Sequence, residues 1–305
     1  MRYFLKNIIL FILPVIFIGG FSLELLLRRV PNNYSYKKKY LDEHAANINV
    51  LFLGSSHVYF GINPAYISGN SFNAAYVSQT LECDLAILNK YQPKLDSLRY
   101  IVEAVDYFSL YSTLESGPEA WRAKNYILYY DINISKNIAY HTEILSNNLS
   151  TNLDRFYNYY VKNGSDQSCT EFGWGPEFNS KNAEDPVATG IAAAKRHTVN
   201  DSKWVETNIN ILKSIIAIAK EKNVKVIFIT CPAYISYSKN LSPRQMGNTI
   251  NKVTELTHLN SNTIYHNFIN DRSFTKADFF DGDHLNEIGA KKFSLKIDSL
   301  IKSDK

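Results

Sequence analysis

Val50-Leu51-Phe52-Leu53-Gly54-Ser55-Ser56-His57 is an unbroken apolar run that stops at a glycine and passes into hydroxyl residues. A strand that is apolar at every position, rather than alternating, is buried on both faces, as in a parallel sheet covered by helices. Read with Asn49 as its first residue, this run is the first of five; the others are Ser71 to Ala75, Tyr100 to Val105, Val224 to Thr230 and Thr263 to Phe268. Short apolar strands alternating with helical patterns specify an α/β domain, a three-layer doubly wound parallel five-stranded sheet.

The clearest helix lies between the third and fourth runs, where Val205, Ile209, Leu212, Ile216 and Ala219 share one face. Asn223 is placed to end it in a left-handed conformation. After the fifth run, Asn286 is a candidate cap for a last helix whose Phe293, Ile297, Leu300 and Ile301 point inward. The stretch from about 107 to 196 is too long for one crossover. It holds short, weakly amphipathic patterns at Trp121 to Tyr130 and Ile138 to Leu145, and is read as a helical insertion above the sheet.

A chain of 305 residues, 45% hydrophobic, suffices for one sizeable domain with an insertion. The formal charge of +4 is small and dispersed, so a nucleic-acid footprint is not indicated. Cys83, Cys169 and Cys231 show no CxxC spacing, which argues against a disulfide framework or a zinc cluster and leaves the redox compartment open.

Ile8 to Leu27 is almost wholly apolar, long enough to span roughly 30 Å of hydrocarbon, with Glu24 as its single charge. A spanning helix is the favoured reading, and a signal peptide cut near Gly20-Phe21-Ser22 is the alternative. A buried core helix would carry a polar face, which this stretch lacks. The division expected is an anchor over 1–30, a juxtamembrane linker over 31–48 and the α/β domain over 49–305. Arg2 and Lys6 precede the span, whereas Arg28, Arg29, Lys37, Lys38 and Lys39 follow it; a positive-inside count alone therefore puts the large domain in the cytoplasm.

Two motifs carry chemistry. Gly54 permits a tight turn that leaves the Ser56 hydroxyl exposed and its N–H free for an oxyanion, although a plain strand-end turn reads the same way. Phe279-Phe280-Asp281-Gly282-Asp283-His284-Leu285-Asn286 sets a carboxylate three residues before a histidine. Such a turn can hold Asp281 against the imidazole, fixing its tautomer while the other nitrogen takes a proton from a serine; Asp283 is the decoy. A surface histidine beside an aspartate, or a metal site of Asp281, Asp283 and His284, are the competing readings. Metal is disfavoured because no second His or Cys lies at ligand spacing.

Together, a serine after the first strand and Asp281-x-x-His284 before the last helix resemble the SGNH (GDSL-like) hydrolase family. The resemblance implies a flavodoxin-like strand order 2-1-3-4-5, Ser56 as nucleophile, His284 as base and Asp281 as orienting acid, with no cofactor and no metal. Ser55 stands where the family has Asp. Asn73-Ala74-Ala75 is similar to its second block, which makes the Ala75 N–H an oxyanion donor alongside that of Ser56. The third block, GxND, is missing: Val105-Asp106-Tyr107-Phe108-Ser109 stands there, with Ser109 and Tyr107 as stand-ins. His57, Asn73, Gln79, Tyr107 and Tyr234 are the substrate-contact candidates, His57 having a local hydrogen bond as its other reading. Arg196-His197 either binds a substrate anion or belongs to a solvated face.

Membrane-anchored SGNH-like proteins of bacteria, among them proteins of cell-wall D-alanylation and exopolysaccharide O-acetylation, are similar in both motifs. That similarity implies an extracytoplasmic domain acting on acyl esters of an envelope glycan or polymer, alongside envelope-biosynthesis membrane partners, and outweighs the charge count. Esterase and O-acyltransferase remain open, as does a catalytically weak glycan-binding or assembly role.

Overall fold

The computed structural model describes residues 2–304. Contacts divide the chain into two compact units: the chain up to Lys38 with Ala120–Gln167, and Lys39–Glu119 with Ser168–Lys305.

The larger unit is built on β1 (Val50–Leu53), β2 (Ser71–Asn73), β3 (Tyr100–Ala104), β4 (Lys225–Thr230) and β5 (Thr263–Asn267), all parallel, in the order β2-β1-β3-β4-β5. The expected strand order and the doubly wound sheet are what the chain adopts. Val50 pairs with Ser71 on one side and Tyr100 on the other, so the strand order reverses beside β1. Every residue of β1, β2 and β3 is buried, and in β1 this shows as a continuous apolar run.

The helices of this unit are α3 (Ser56–Gly61), α4 (Leu81–Tyr91), α8 (Pro186–His197), α9 (Val205–Glu221), α10 (Ile235–Ser238), α11 (Pro243–Leu259) and α12 (Glu287–Ser303). α4 packs on α9 and α3 on α12, while α11 lies along β5. Because the strand order reverses at β1, right-handed crossovers put α3 and α4 on opposite faces and leave a crevice at the C-terminal ends of β1 and β3. Asn223 has φ 55° just past α9, and the Asn286 side chain accepts from Ile288 N and Gly289 N at the start of α12.

The smaller unit contains α1 (Arg2–Arg28), α5 (Ala123–Tyr130), α6 (Glu143–Ser146) and α7 (Leu149–Tyr160). Its interior holds buried tyrosines, among them Tyr34, Tyr126 and Tyr130, and an ionic cluster. Glu143 is fully buried and receives Lys124, Arg155 (2.7 Å) and the Tyr129 hydroxyl, and Arg155 also reaches Asp166 (2.9 Å). The Glu24 carboxylate accepts from the N–H groups of Glu143 and Ile144, both at 3.0 Å, so the one charge in the apolar run caps α6.

The segment read as a linker over 31–48 holds α2 (Asn33–His44), because Asn32 accepts from the N–H groups of Tyr34 and Ser35 and caps it, while Tyr34 and Leu41 are buried. Within the stretch from about 107 to 196, Ala120–Gln167 groups with the chain up to Lys38, where the Glu24 carboxylate accepts from Glu143 N and Ile144 N, and its flanks group with the sheet.

Candidate active site

The site begins where β1 ends. Gly54 has φ +132°, and a Cβ there would lie 2.9 Å from the Ala104 Cβ, so only glycine lets the chain turn this close to β3. Its N–H donates to Asp84 Oδ1 (3.0 Å). The turn leaves Ser55 extended as the cap of α3, accepting from His57 N, and makes Ser56 the first helical residue, half-buried. The Ser56 N–H has no acceptor among the described residues.

Ser56 Oγ lies 2.8 Å from His284 Nε2, and His284 Nδ1 lies 3.0 Å from Asp281 Oδ2. The Asp281 carboxylate is fixed by its own turn, since Oδ1 accepts from the N–H groups of Asp283 (3.0 Å) and His284 (2.7 Å). Gly282 anchors that turn: its N–H donates to the Thr189 hydroxyl on α8, its carbonyl accepts from Tyr234 N, and a Cβ would fall 2.1 Å from the Gly190 Cα. The His284 ring sits among Phe60 and Phe178, both edge-on, with Phe178 stacked between Phe60 and Phe280. An imidazole walled by aromatic rings on one side and carboxylates on the other keeps one orientation.

A second histidine backs the first. His57 is buried, with Nδ1 2.9 Å from Asp106 Oδ2 and Nε2 3.4 Å from Asp283 Oδ2. Burial alone would favour the neutral ring, but the flanking carboxylates, Asp106 first, raise it to about 10, so His57 is an imidazolium at neutral pH. The other Asp106 oxygen accepts from Cys231 N (2.8 Å), which ties the ends of β1, β3 and β4 together. Burial pushes Asp283 toward the neutral acid, yet His284, His57 and His197 around it hold the carboxyl below its ordinary range. His197 goes the other way: burial lowers it to about 4, and its Nδ1 lies 2.9 Å from the Tyr237 hydroxyl.

Sequence reasoning placed several residues differently. Asn73 is fully buried, and its side chain donates to the carbonyls of Val58 (2.9 Å) and Ile62 (2.8 Å) and accepts from Ala75 N (3.1 Å). The Ala75 N–H proposed for the oxyanion is therefore engaged by its own turn. Gln79 donates to Ala74 O and Asp84 beneath the site. Tyr107 is buried against Thr198 and Ser242 N, away from Ser56, and the Ser109 hydroxyl accepts from Asp106 N. The His57 ring is engaged by two carboxylates, Asp106 and Asp283. Tyr234 is half-buried, with its ring edge-on to Phe279 beside the histidine loop.

Asp106 and Asp283 were missed as partners of the site. The sequence signal for Asp106 was its position just past β3, next to the β1 turn, where a buried carboxylate demands a cation. Donor atoms of His57, Asp283 and His284 lie within 4.8 Å of one another, a spacing that would suit a metal. Those nitrogens are already matched to Asp106, Asp283, Asp281 and Ser56, so hydrogen bonding accounts for the cluster.

No known family model matches the sequence, and no curated protein matches it. Among solved structures the chain is similar to a candidate acylhydrolase from Bacteroides fragilis, at 12% identity and TM-score 0.42, over 88% of this chain and 96% of that one. It is similar to a candidate platelet activating factor from Streptococcus pneumonia, at 12% identity and TM-score 0.44, over 93% and 98%. It is also similar to a GDSL-like lipase from Bacteroides thetaiotaomicron, at 11% identity and TM-score 0.43, over 88% and 99%.

Proposed function

We propose that this chain is a serine esterase or O-acyltransferase of the SGNH kind, tethered to a membrane by α1 and acting on acyl esters of a cell-envelope glycan. The observation that carries the reading is the continuous chain from Ser56 Oγ to His284 Nε2 (2.8 Å) and from His284 Nδ1 to Asp281 (3.0 Å) in the crevice where the strand order reverses.

In this reading His284 takes the Ser56 proton as the hydroxyl oxygen attacks the ester carbonyl, and the Ser56 N–H donates to the oxyanion that forms. Collapse expels the alcohol, which receives the proton from His284, and leaves an acyl group on Ser56. Water then completes hydrolysis, or a sugar hydroxyl takes the acyl group, each being deprotonated by His284 as it attacks. Asp281 keeps the Nδ1 proton in place and stabilises the imidazolium. Membrane attachment is supported by an apolar stretch, Leu10–Arg28, of which only 6% is buried in the protein.

One observation favours a catalytically weak glycan-binding or assembly role instead: the Ala75 N–H is engaged by Asn73, which leaves Ser56 N as the identified oxyanion donor. Losing one donor typically costs about a hundredfold in rate. The test is reaction of the full chain in detergent with a fluorophosphonate probe, which phosphonylates only an activated serine. The hydrolytic reading expects wild-type labelling that disappears in Ser56→Ala and falls sharply in His284→Gln. A wild-type chain that stays unlabelled from pH 6 to 9 while correctly folded would hand the site to the binding reading. Protease digestion of the large domain from either side of sealed vesicles decides its orientation.

A further inference from the structure

α7 has its sides arranged for something other than water. At about 100° per residue, Leu149, Leu153, Phe156, Tyr157 and Tyr160 fall within one arc of roughly 100°. That arc is open: Leu149 is 61% exposed, Tyr157 51% and Leu153 47%. The side facing the protein is polar instead. Asn152 is fully buried and donates to Glu143 O (3.2 Å), and Arg155 reaches Glu143 and Asp166. A third side, with Ser150, Thr151 and Asp154, is exposed and polar. A helix stabilised by water alone buries its apolar arc and exposes its charges, so the exposed arc needs a partner.

The same region docks on α1 at a defined height. The Tyr160 hydroxyl donates to Leu26 O (3.0 Å), Arg28 donates to His141 O (2.8 Å), and Glu24 caps α6. All three contacts fall at the end of the apolar run, where a spanning helix leaves the hydrocarbon and enters the headgroups. Two more large apolar side chains, Ile138 and Leu145, are exposed on the segments leading to α7. Exposed Lys162 lies 5.3 Å from the Tyr157 ring, and Arg28 and Arg29 are exposed at the end of α1. Apolar and tyrosyl side chains rimmed by cations, at the exit of a spanning helix, have the chemistry of an interfacial helix on an anionic bilayer.

We infer that the exposed arc of α7, with Leu145 and Ile138, is a lipid-binding face that seats this unit in the headgroup layer beside α1. The inference rests on the reading of α1 as a membrane span. It makes the smaller unit a second membrane attachment and gives Glu24 the task of fixing α6 to the anchor at interfacial depth.

The test uses the full chain in phosphatidylcholine–phosphatidylglycerol vesicles, with a nitroxide on single cysteines introduced as Leu145→Cys, Leu153→Cys, Asp154→Cys and Phe17→Cys. Cys83, Cys169 and Cys231 are buried, and the labelled wild type supplies the blank. Relative collision with oxygen and with a water-soluble nickel chelate reports depth. Labels at 145 and 153 should show an oxygen-to-nickel ratio about fivefold above that at 154. Equal nickel access at 153 and 154, with 17 shielded, overturns the inference and leaves the anchor standing. Nickel access at 17 as well removes the membrane reading itself. A 153 label shielded from both quenchers means a protein partner covers the arc, which also overturns it.

Discussion

Replacing His57 by glutamine tests the charge architecture behind the proposed base. The ring is buried between Asp106 (2.9 Å) and Asp283 (3.4 Å) and is raised from 6.5 to about 10. The folded chain thus holds a proton between pH 6.5 and 10 that the unfolded chain releases. The stability this contributes is complete below pH 6.5 and is lost as pH rises through 10, with a slope of up to about 1.4 kcal/mol per pH unit. Over the whole window the linkage is about 5 kcal/mol. Glutamine retains hydrogen-bonding capacity but leaves two buried carboxylates without their cation, a loss of roughly 3 to 5 kcal/mol near pH 6.5. Urea unfolding of wild type and His57→Gln in detergent, from pH 6.5 to 10, isolates this site because other titrating groups cancel in the difference. The stability gap should be widest at pH 6.5 and nearly closed at pH 10. A gap that stays constant across the window would mean that His57 is neutral in the fold, and the imidazolium clamp would be wrong.

Three other outcomes follow from the same geometry. If the serine chemistry operates, Asp281→Asn should lower turnover of a fluorogenic acetate about 10³- to 10⁴-fold by releasing the His284 tautomer, whereas Asp283→Asn, whose Oδ1 lies 3.6 Å from Nδ1, should cost less rate and more stability; initial rates and urea midpoints separate the two. Glu103→Gln should stabilise the chain at pH 8 by about 1 to 3 kcal/mol and change little at pH 4. Burial and then Asp84 raise the Glu103 carboxyl, so the wild type loses stability as pH climbs, and glutamine removes the titration while offering Asp84 a donor that does not titrate. Asn73→Ala should lower the urea midpoint, with about 1 to 3 kcal/mol lost, and leave KM unchanged, because its three hydrogen bonds are internal; a raised KM at unchanged stability would return it to the substrate surface.

The strands were legible because a doubly covered sheet imposes one requirement, burial on both faces, that shows in every residue of Val50 to Leu53. The Asp281–His284 turn was legible because its main constraint is local: the carboxylate that orients the ring also accepts from N–H groups two and three residues ahead. His57 and Asp106 lie 49 positions apart, with no local pattern joining them, and a histidine after a serine turn reads as readily as a substrate contact. Asn73 is ambiguous for the matching reason, since a polar residue at a strand end looks the same whether it meets ligand or satisfies buried carbonyls.

The smaller unit sharpens the point. No sequence pattern pairs Glu24, Lys124, Glu143 and Arg155, yet Glu143 is fully buried and the other three converge on it. A buried charge is tolerable only where an opposite charge or donor from elsewhere in the chain meets it, so its placement is a property of the pairing and not of the segment. The pairing also explains why α7 exposes leucine and tyrosine. With Asn152 and Arg155 drawn inward to Glu143, the helix cannot also turn its apolar arc toward the interior. The ion cluster therefore sets the rotation of α7, and that rotation brings Leu149, Leu153 and Tyr157 to the surface beside the end of α1.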